Sequence, residues 1–146
     1  NVRIGMTGRI DTMQAAILIE KLRIFDDEIE ARNRIAARYT ELLKDHVATP
    51  VVPEGLQSVW AQYTIKLPEG ADRAAIQARL KEDGVPSAVY YAKPLHRQDA
   101  YSHHGMAGGE LPVTDMLAGC VLSLPMHPYL DEETQDRVVN ALIAAL

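Results

Sequence analysis

The sequence predicts an α+β fold, a small sheet covered by helices and preceded by a long helix. Three observations predict it. Apolar residues recur at helical spacing early in the chain and again at its C-terminus. Between them the hydrophobic period switches to two over residues 59–67, the mark of a half-covered strand. Cap and turn residues then punctuate the chain so that helices and strands alternate, as in an α/β sandwich.

The first element runs over residues 11–43 as one long helix, or as two with a kink near Arg23 to Asp27. Its first half carries Ala15, Ala16, Ile17, Leu18 and Ile19 in succession. Such a segment is apolar nearly all round and is expected to be buried. From Phe25 the pattern becomes Phe25, Ile29, Arg32, Ala36, Tyr39, Leu43, a one-sided stripe with Asp26, Asp27, Glu28, Glu30, Arg34 and Arg38 on the wet side. Glu28 with Arg32 and Glu30 with Arg34 are i,i+4 pairs in the favourable order.

In residues 59–67, Val59, Ala61, Tyr63, Ile65 and Leu67 alternate with Trp60, Gln62, Thr64 and Lys66. Pro68-Glu69-Gly70 turns the chain, and Asp72 caps a helix that carries Ala75, Ile76 and Leu80 on one side. Gly84 suits a left-handed helix stop. Residues 86–91 and 121–124 read as the second and third strands, with Pro112 in the first turn of a short helix between them. Asp131 caps the last helix, whose stripe is Val138, Val139, Leu142, Ile143 and Leu146. Residues 96–110, with three glycines, form the longest predicted loop and the segment expected to move most.

The chain has 146 residues, enough for one domain with a usable core. Its net charge of −5 argues against a nucleic-acid surface, which needs clustered Lys and Arg. No apolar run approaches the length of a membrane span, and the first residues lack the apolar core of a signal peptide. The single Cys120 excludes an intrachain disulfide and fits a reducing compartment, so a cytoplasmic location is expected. The chain does not begin with Met and opens directly on a motif, so it reads as a piece of a longer protein or as a product trimmed at its start.

That motif, Gly5-Met6-Thr7-Gly8-Arg9, sets free backbone N–H groups and a guanidinium ahead of a helix, which suits an anion. It also reads as a plain helix lead-in whose glycines satisfy backbone geometry. In Tyr90-Tyr91-Ala92-Lys93-Pro94-Leu95-His96, the tyrosines either pack a rim or line a pocket for a polar ligand with an apolar face. No metal site is expected at His103-His104, because neighbouring side chains point apart and no Cys or carboxylate recurs at ligand spacing. Cys120, Ser123 and His127 lack the turn that exposes a nucleophile, so Cys120 reads as core and Ser123 as strand. His127 is a candidate for a second substrate contact.

Gly5 to Leu18, Val89 to His96 and Val121-Leu122-Ser123-Leu124-Pro125-Met126-His127-Pro128 resemble, in that order, segments of the DegT/DnrJ/EryC1/StrS aminotransferases. These pyridoxal-phosphate enzymes aminate keto-sugars on nucleotide carriers. The resemblance spans almost the whole chain, but only the C-terminal part of such an enzyme. It implies the small C-terminal domain of the aspartate-aminotransferase (type I) fold at residues 45–146, with residues 1–44 a loop and helical segment leading into it. It also implies pyridoxal 5′-phosphate as cofactor, a nucleotide sugar and an amino-acid donor as substrates, and a homodimer.

Thr7 and Gly8 then fall on the cofactor side. Thr7 stands where similar enzymes carry an Asn that crosses the dimer interface to the cofactor phosphate of the other subunit. Arg9 matches the family Arg and is expected to stabilise the loop or approach the sugar. Tyr91 and His96, with Tyr90 as substitute, are expected near the hexose or the diphosphate. The Schiff-base lysine of the family lies upstream of the Gly5 to Arg9 loop, and Lys21, Lys44, Lys66, Lys81 and Lys93 all lack its setting. No catalytic residue is therefore assigned, and the chain alone is expected not to transaminate. The wording Gly-Met-Thr-Gly-Arg-Ile-Asp looks closest to enzymes acting on UDP-linked 3-keto-hexuronates, whose products feed surface polysaccharides or natural-product sugars. A different reading is a non-catalytic α+β module that binds a small ligand or mediates assembly. A lysine segment encoded upstream favours the enzyme, and a start codon just before Asn1 the module.

Overall fold

The computed structural model describes residues 8, 10–105 and 109–146. Asp11 opens helix α1 (Thr12–Arg23) with a capping box: its carboxylate accepts the Gln14 N–H at 2.8 Å, while its own N–H donates to the Gln14 side chain at 3.4 Å. The helix stops at Ile24, so the two-helix alternative is the one adopted, and α2 (Phe25–Leu43) follows at once.

Helix α1 is not buried, contrary to the expectation from its composition. Ile17, Leu18, Ile19 and Leu22 are between 47% and 66% exposed, and none of its residues is buried. Among the described elements its main packing partner is α2, and its apolar surface is left largely bare. The stripe of α2 is met at Ala36, Tyr39 and Leu43, with Ile35 added, while Phe25 lies exposed. Glu28, expected in water, is buried. The Tyr129 hydroxyl donates to it at 2.6 Å, and Arg32 and Lys21 approach at 3.4 and 3.7 Å.

The sheet has two antiparallel strands, β1 (Tyr63–Lys66) and β2 (Val121–Leu124), with Tyr63 opposite Leu124 and Ile65 opposite Leu122. Single bridges extend it on both sides, Ala48 to Lys66 and Ala88 to Ser123. Two expected strands are thus corrected. Residues 59–62 fall outside β1 because Trp60 adopts φ 47°, which turns its indole N–H onto Asn33 at 2.9 Å. Residues 86–91 contribute one bridge rather than a strand. Pro86 has no N–H to pair, and the chain turns away at Tyr90, leaving Ala88 alone in mutual hydrogen bonds of 3.1 and 2.8 Å with Ser123.

The remaining helices start and stop as their caps dictate. Asp72 accepts from the N–H groups of Ala74 and Ala75 ahead of α3 (Arg73–Glu82), which buries Ile76 and Leu80 but leaves Ala75 outside. Gly84 has φ 69°, and a Cβ there would lie 2.6 Å from the Arg137 guanidinium that binds the Asp83 carbonyl. Pro112 begins α4 (Pro112–Cys120), whose C-terminal end is held by Arg73 donating to Ala118 O at 2.6 Å and Val121 O at 3.2 Å. Asp131 caps α5 (Glu132–Ala145) through Thr134 N–H at 2.7 Å. In α5 the expected Val138, Val139 and Leu142 are buried, Leu146 is exposed, and Gln135, Ala141 and Ala145 complete the inner face. No helix among the described residues is long and apolar enough to cross a membrane.

Alternation puts Tyr63, Ile65, Leu122 and Leu124 on the covered face of the sheet, against Tyr39 and Leu43 of α2 and Leu142 of α5. Tyr39 and Tyr63 meet at 5.0 Å between ring centroids. Each buried hydroxyl has a partner: Tyr39 donates to Pro125 O at 3.1 Å, and Tyr63 shares a 2.8 Å bond with Thr40. Burial pushes both phenols up. The Gln135 amide donates to Ile35 O at 2.8 Å and so ties α5 to α2.

Leu122 is fully buried, so Leu122→Ala should cost about 2–5 kcal/mol of unfolding free energy in urea. Ile17→Ala, at dilution, should change it by no more than about 0.5 kcal/mol. Comparable losses from the two would mean that α1 belongs to the core.

Candidate functional site

The opposite face of the sheet carries Thr64 and Ser123, whose hydroxyls share a 2.8 Å hydrogen bond. Ser123, with Gln62, Ser87, Ala88, Tyr90 and Met126, borders a cleft of about 230 Å³. None of Gln62, Ser87 or Ser123 was singled out for this from the sequence, since a lone hydroxyl or amide carries no spacing signal. Beyond Ala88 the Tyr90–Tyr91 peptide is cis and the two rings meet edge-on at 5.8 Å. Tyr90 borders the cleft, whereas Tyr91, 69% exposed, lines a wider hollow of about 710 Å³ with Ala92, Lys93, Leu95 and Gln98.

The chain then makes two single 3₁₀ turns, Leu95–Arg97 and Asp99–Tyr101, within what reads from sequence as loop. Pro94 fits the start of the first, since its carbonyl accepts the Arg97 N–H at 3.0 Å. This turn aims His96 and Arg97 at one acid, Asp115, in the first turn of α4. Arg97 grips it with two bonds, Nη2 to Oδ2 at 2.7 Å and Nε to Oδ1 at 3.3 Å. His96 Nε2 lies 3.1 Å from Oδ1, and its side chain is 11% exposed. The hydrogen bond from Arg97 holds the Asp115 carboxyl below its ordinary range, with the charges of Arg97 and His96 adding to it. Lys93 does the same for Asp99 at 2.7 Å.

Of the residues singled out from sequence, the structure keeps Tyr90, Tyr91 and His96 on one continuous segment. It places Tyr90 and Tyr91 at different hollows and His96 against α4. Thr7 and Arg9 lie outside the described residues, and Gly8 is exposed with nothing within 4 Å of where a Cβ would stand. His127 is exposed, its Nδ1 accepting the Tyr129 N–H at 3.3 Å. The rings of His103 and His104 stack at 4.2 Å rather than pointing apart, because the chain bends there instead of extending. Among the described residues no three His, Cys, Asp or Glu side chains converge as metal ligands. Cys120 is half-buried rather than core, its thiol directed to Met116 Sδ and Leu117 O. Asp115 escaped the sequence reading because its partners lie 18 and 19 residues away, at no regular spacing.

The Asp115 clamp has a defined pH response. A carboxyl whose folded pKa is depressed stabilises the fold above its unfolded value, about 3.9 for Asp, and loses that contribution as pH falls through the lower folded value. The unfolding free-energy difference between the parent and Asp115→Ala should persist from about pH 8 to about pH 5 and shrink below about pH 4. A difference already gone at about pH 6 would rule Asp115 out as the titrating group.

The chain is similar to proteins of one family. The model of the DegT/DnrJ/EryC1/StrS aminotransferase family matches residues 1–143. The UDP-2-acetamido-2-deoxy-3-oxo-D-glucuronate aminotransferase of Pseudomonas aeruginosa is 46% identical, over 97% of this chain and 38% of its own length. A crystal structure of a DegT DnrJ EryC1 StrS aminotransferase from Brucella abortus superposes with TM-score 0.87 at 52% identity, over 97% of this chain and 37% of that one. DesV of S. venezuelae, solved in complex with a ketimine intermediate, gives TM-score 0.84 at 30% identity, over 96% and 38%. The chain thus spans little more than a third of the length of the curated relatives it matches.

Proposed function

The chain belongs to the DegT/DnrJ/EryC1/StrS aminotransferase family, and from that premise we propose that it works as the C-terminal portion of a pyridoxal-phosphate-dependent sugar aminotransferase. Its substrate is a keto-sugar on a nucleotide carrier, a UDP-linked 3-keto-hexuronate, and its amino donor an amino acid, commonly glutamate. The observation that carries the reading is the likeness, along nearly the whole chain, to the Pseudomonas aeruginosa enzyme named for such a uronate. The expected division, a lead-in at 1–44 and a small domain at 45–146, and a cytoplasmic location belong to the same proposal.

Pyridoxal phosphate, when bound, supplies the electron sink that moves an amino group. The described residues do not form its site by themselves. All five lysines are exposed, and three are engaged by carboxylates: Lys21 by Glu28, Lys44 by Glu41 and Lys93 by Asp99. Isolated, the chain does not transaminate. After borohydride reduction with pyridoxal phosphate, peptide mapping should find no lysine modified stoichiometrically. A single fully labelled residue, Lys93 for instance, would overturn this.

In the full-length enzyme, Arg9, Tyr91 and His96 serve the sugar, and Thr7 and Gly8 the cofactor phosphate. Arg9→Ala or His96→Ala should raise KM for the nucleotide sugar and leave the cofactor absorbance intact. Thr7→Ala should weaken cofactor retention roughly tenfold to a hundredfold, the scale of one charge-assisted hydrogen bond. Unchanged retention would move that contact to another group. A homodimer is supported by the apolar residues that α1 leaves exposed, Met13, Ile17, Leu18, Ile19 and Leu22, since contiguous exposed apolar surface marks interaction sites. Sedimentation of the chain as a clean monomer at tens of micromolar, an order-of-magnitude working range, would count against assembly through that surface.

A further inference from the structure

His96 has two nitrogens, and the structure fixes what each can do. Nε2 sits 3.1 Å from Asp115 Oδ1, and that carboxylate already receives Arg97 through both its oxygens. An ionised carboxylate only accepts hydrogen bonds, so Nε2 must carry a proton to donate. In a neutral imidazole the proton on Nε2 leaves Nδ1 with a bare lone pair. Among the described residues no group meets Nδ1. The ring is otherwise enclosed, its side chain 11% exposed, so the orientation is held by the pairing with Asp115 and the short turn at Leu95–Arg97.

This distinguishes two chemistries that the sequence left open, the hexose and the diphosphate. To the neutral ring a phosphate oxygen offers no proton, and the Nδ1 lone pair facing it would repel; only a protonated ring would donate there. A sugar hydroxyl or amino group offers one. Resting on the reading of His96 as a sugar-side residue, we propose that Asp115 is a positioning residue. It fixes the Nε2–H tautomer of the neutral His96 ring, so that in this form Nδ1 accepts a hydrogen bond from a hydroxyl or amine of the sugar and discriminates against the phosphates. Arg97 serves the same arrangement by holding the carboxylate still with two bonds.

Long-range ¹H–¹⁵N correlation spectra of the 146-residue chain above the histidine titration range read the form directly, with His96→Gln assigning the signals. The parent should show a single tautomer, pyrrole-type at Nε2 and pyridine-type at Nδ1. Asp115→Glu should keep it. Asp115→Asn should lose or invert it, because Arg97 retains the amide oxygen and turns the NH₂ toward the ring. A parent that is Nδ1–H or an even mixture overturns the proposal without any variant, so a variant that fails to fold does not rescue it.

The second arm uses the full-length enzyme with UDP and UDP-N-acetylglucosamine as competing ligands. Asp115→Asn should weaken the sugar nucleotide about tenfold and leave UDP unchanged, with Asp115→Glu restoring the parent value. If His96→Ala weakens neither ligand, or both equally, the placement of His96 at the sugar is wrong. If His96→Ala weakens only the sugar nucleotide while Asp115→Asn changes nothing, that placement stands and the role of Asp115 falls.

Discussion

Strand β2 is the constraint on which the rest depends. Ser123, at its centre, exchanges backbone hydrogen bonds with Ala88 on one side, pairs with Thr64 on the other, and binds the Thr64 hydroxyl through its own. Leu122 and Leu124 beside it point into the opposite layer, the helical core. The residues just before β2 end α4, and Pro125 just after it receives the Tyr39 hydroxyl. A two-stranded ribbon is marginal in water, so this one persists through the helices on its covered face. The uncovered face inherits that rigidity. Four residues therefore set the position of the cleft, of α4 with its Asp115, and of the segment that carries Tyr90 to His96.

The parts legible in the sequence were those that repeat or punctuate. Tyr63, Ile65 and Leu67 announced β1 by alternation, and Asp72, Gly84, Pro112 and Asp131 marked ends that the backbone then observed. The strand limits were not legible. A period of two continues back to Val59 in the letters, but nothing in them foretells that Trp60 leaves the sheet to reach Asn33. Residues 86–91 have strand-like composition and yet one partner, because pairing depends on what the neighbouring backbone offers rather than on the segment itself.

Site residues divide the same way. Tyr91 and His96 were found through a motif, but their separation into different surroundings follows from the turn at Pro94, which a motif does not encode. Glu28 was read as a surface acid on a helix, and Asp115 was not singled out. Each is instead the acceptor of a small cluster: Arg97 and His96 for Asp115, and for Glu28 the distant Tyr129 together with Arg32 and Lys21 from nearby chain. Charge by itself identifies an acid that needs water or a partner; only the fold decides which.

The Glu28 cluster also explains how α1 is held although it buries none of its residues. Burying a carboxylate is costly unless it is hydrogen-bonded and paired, and Glu28 is both. Tyr129 comes from the loop before α5, Arg32 from the next turn of α2, and Lys21 from the end of α1. The Tyr129 bond, above all, keeps the carboxyl below its ordinary range, and the same bond pushes the phenol up. An exposed surface ion pair alone contributes little, so Lys21 is the weakest of the three. It is nonetheless a local tie across the break at Ile24, from α1 to an acid that Tyr129 of the loop before α5 also holds. The direction of α1 is thus governed by a cap, a helix break and a charge, while its apolar surface remains turned outward.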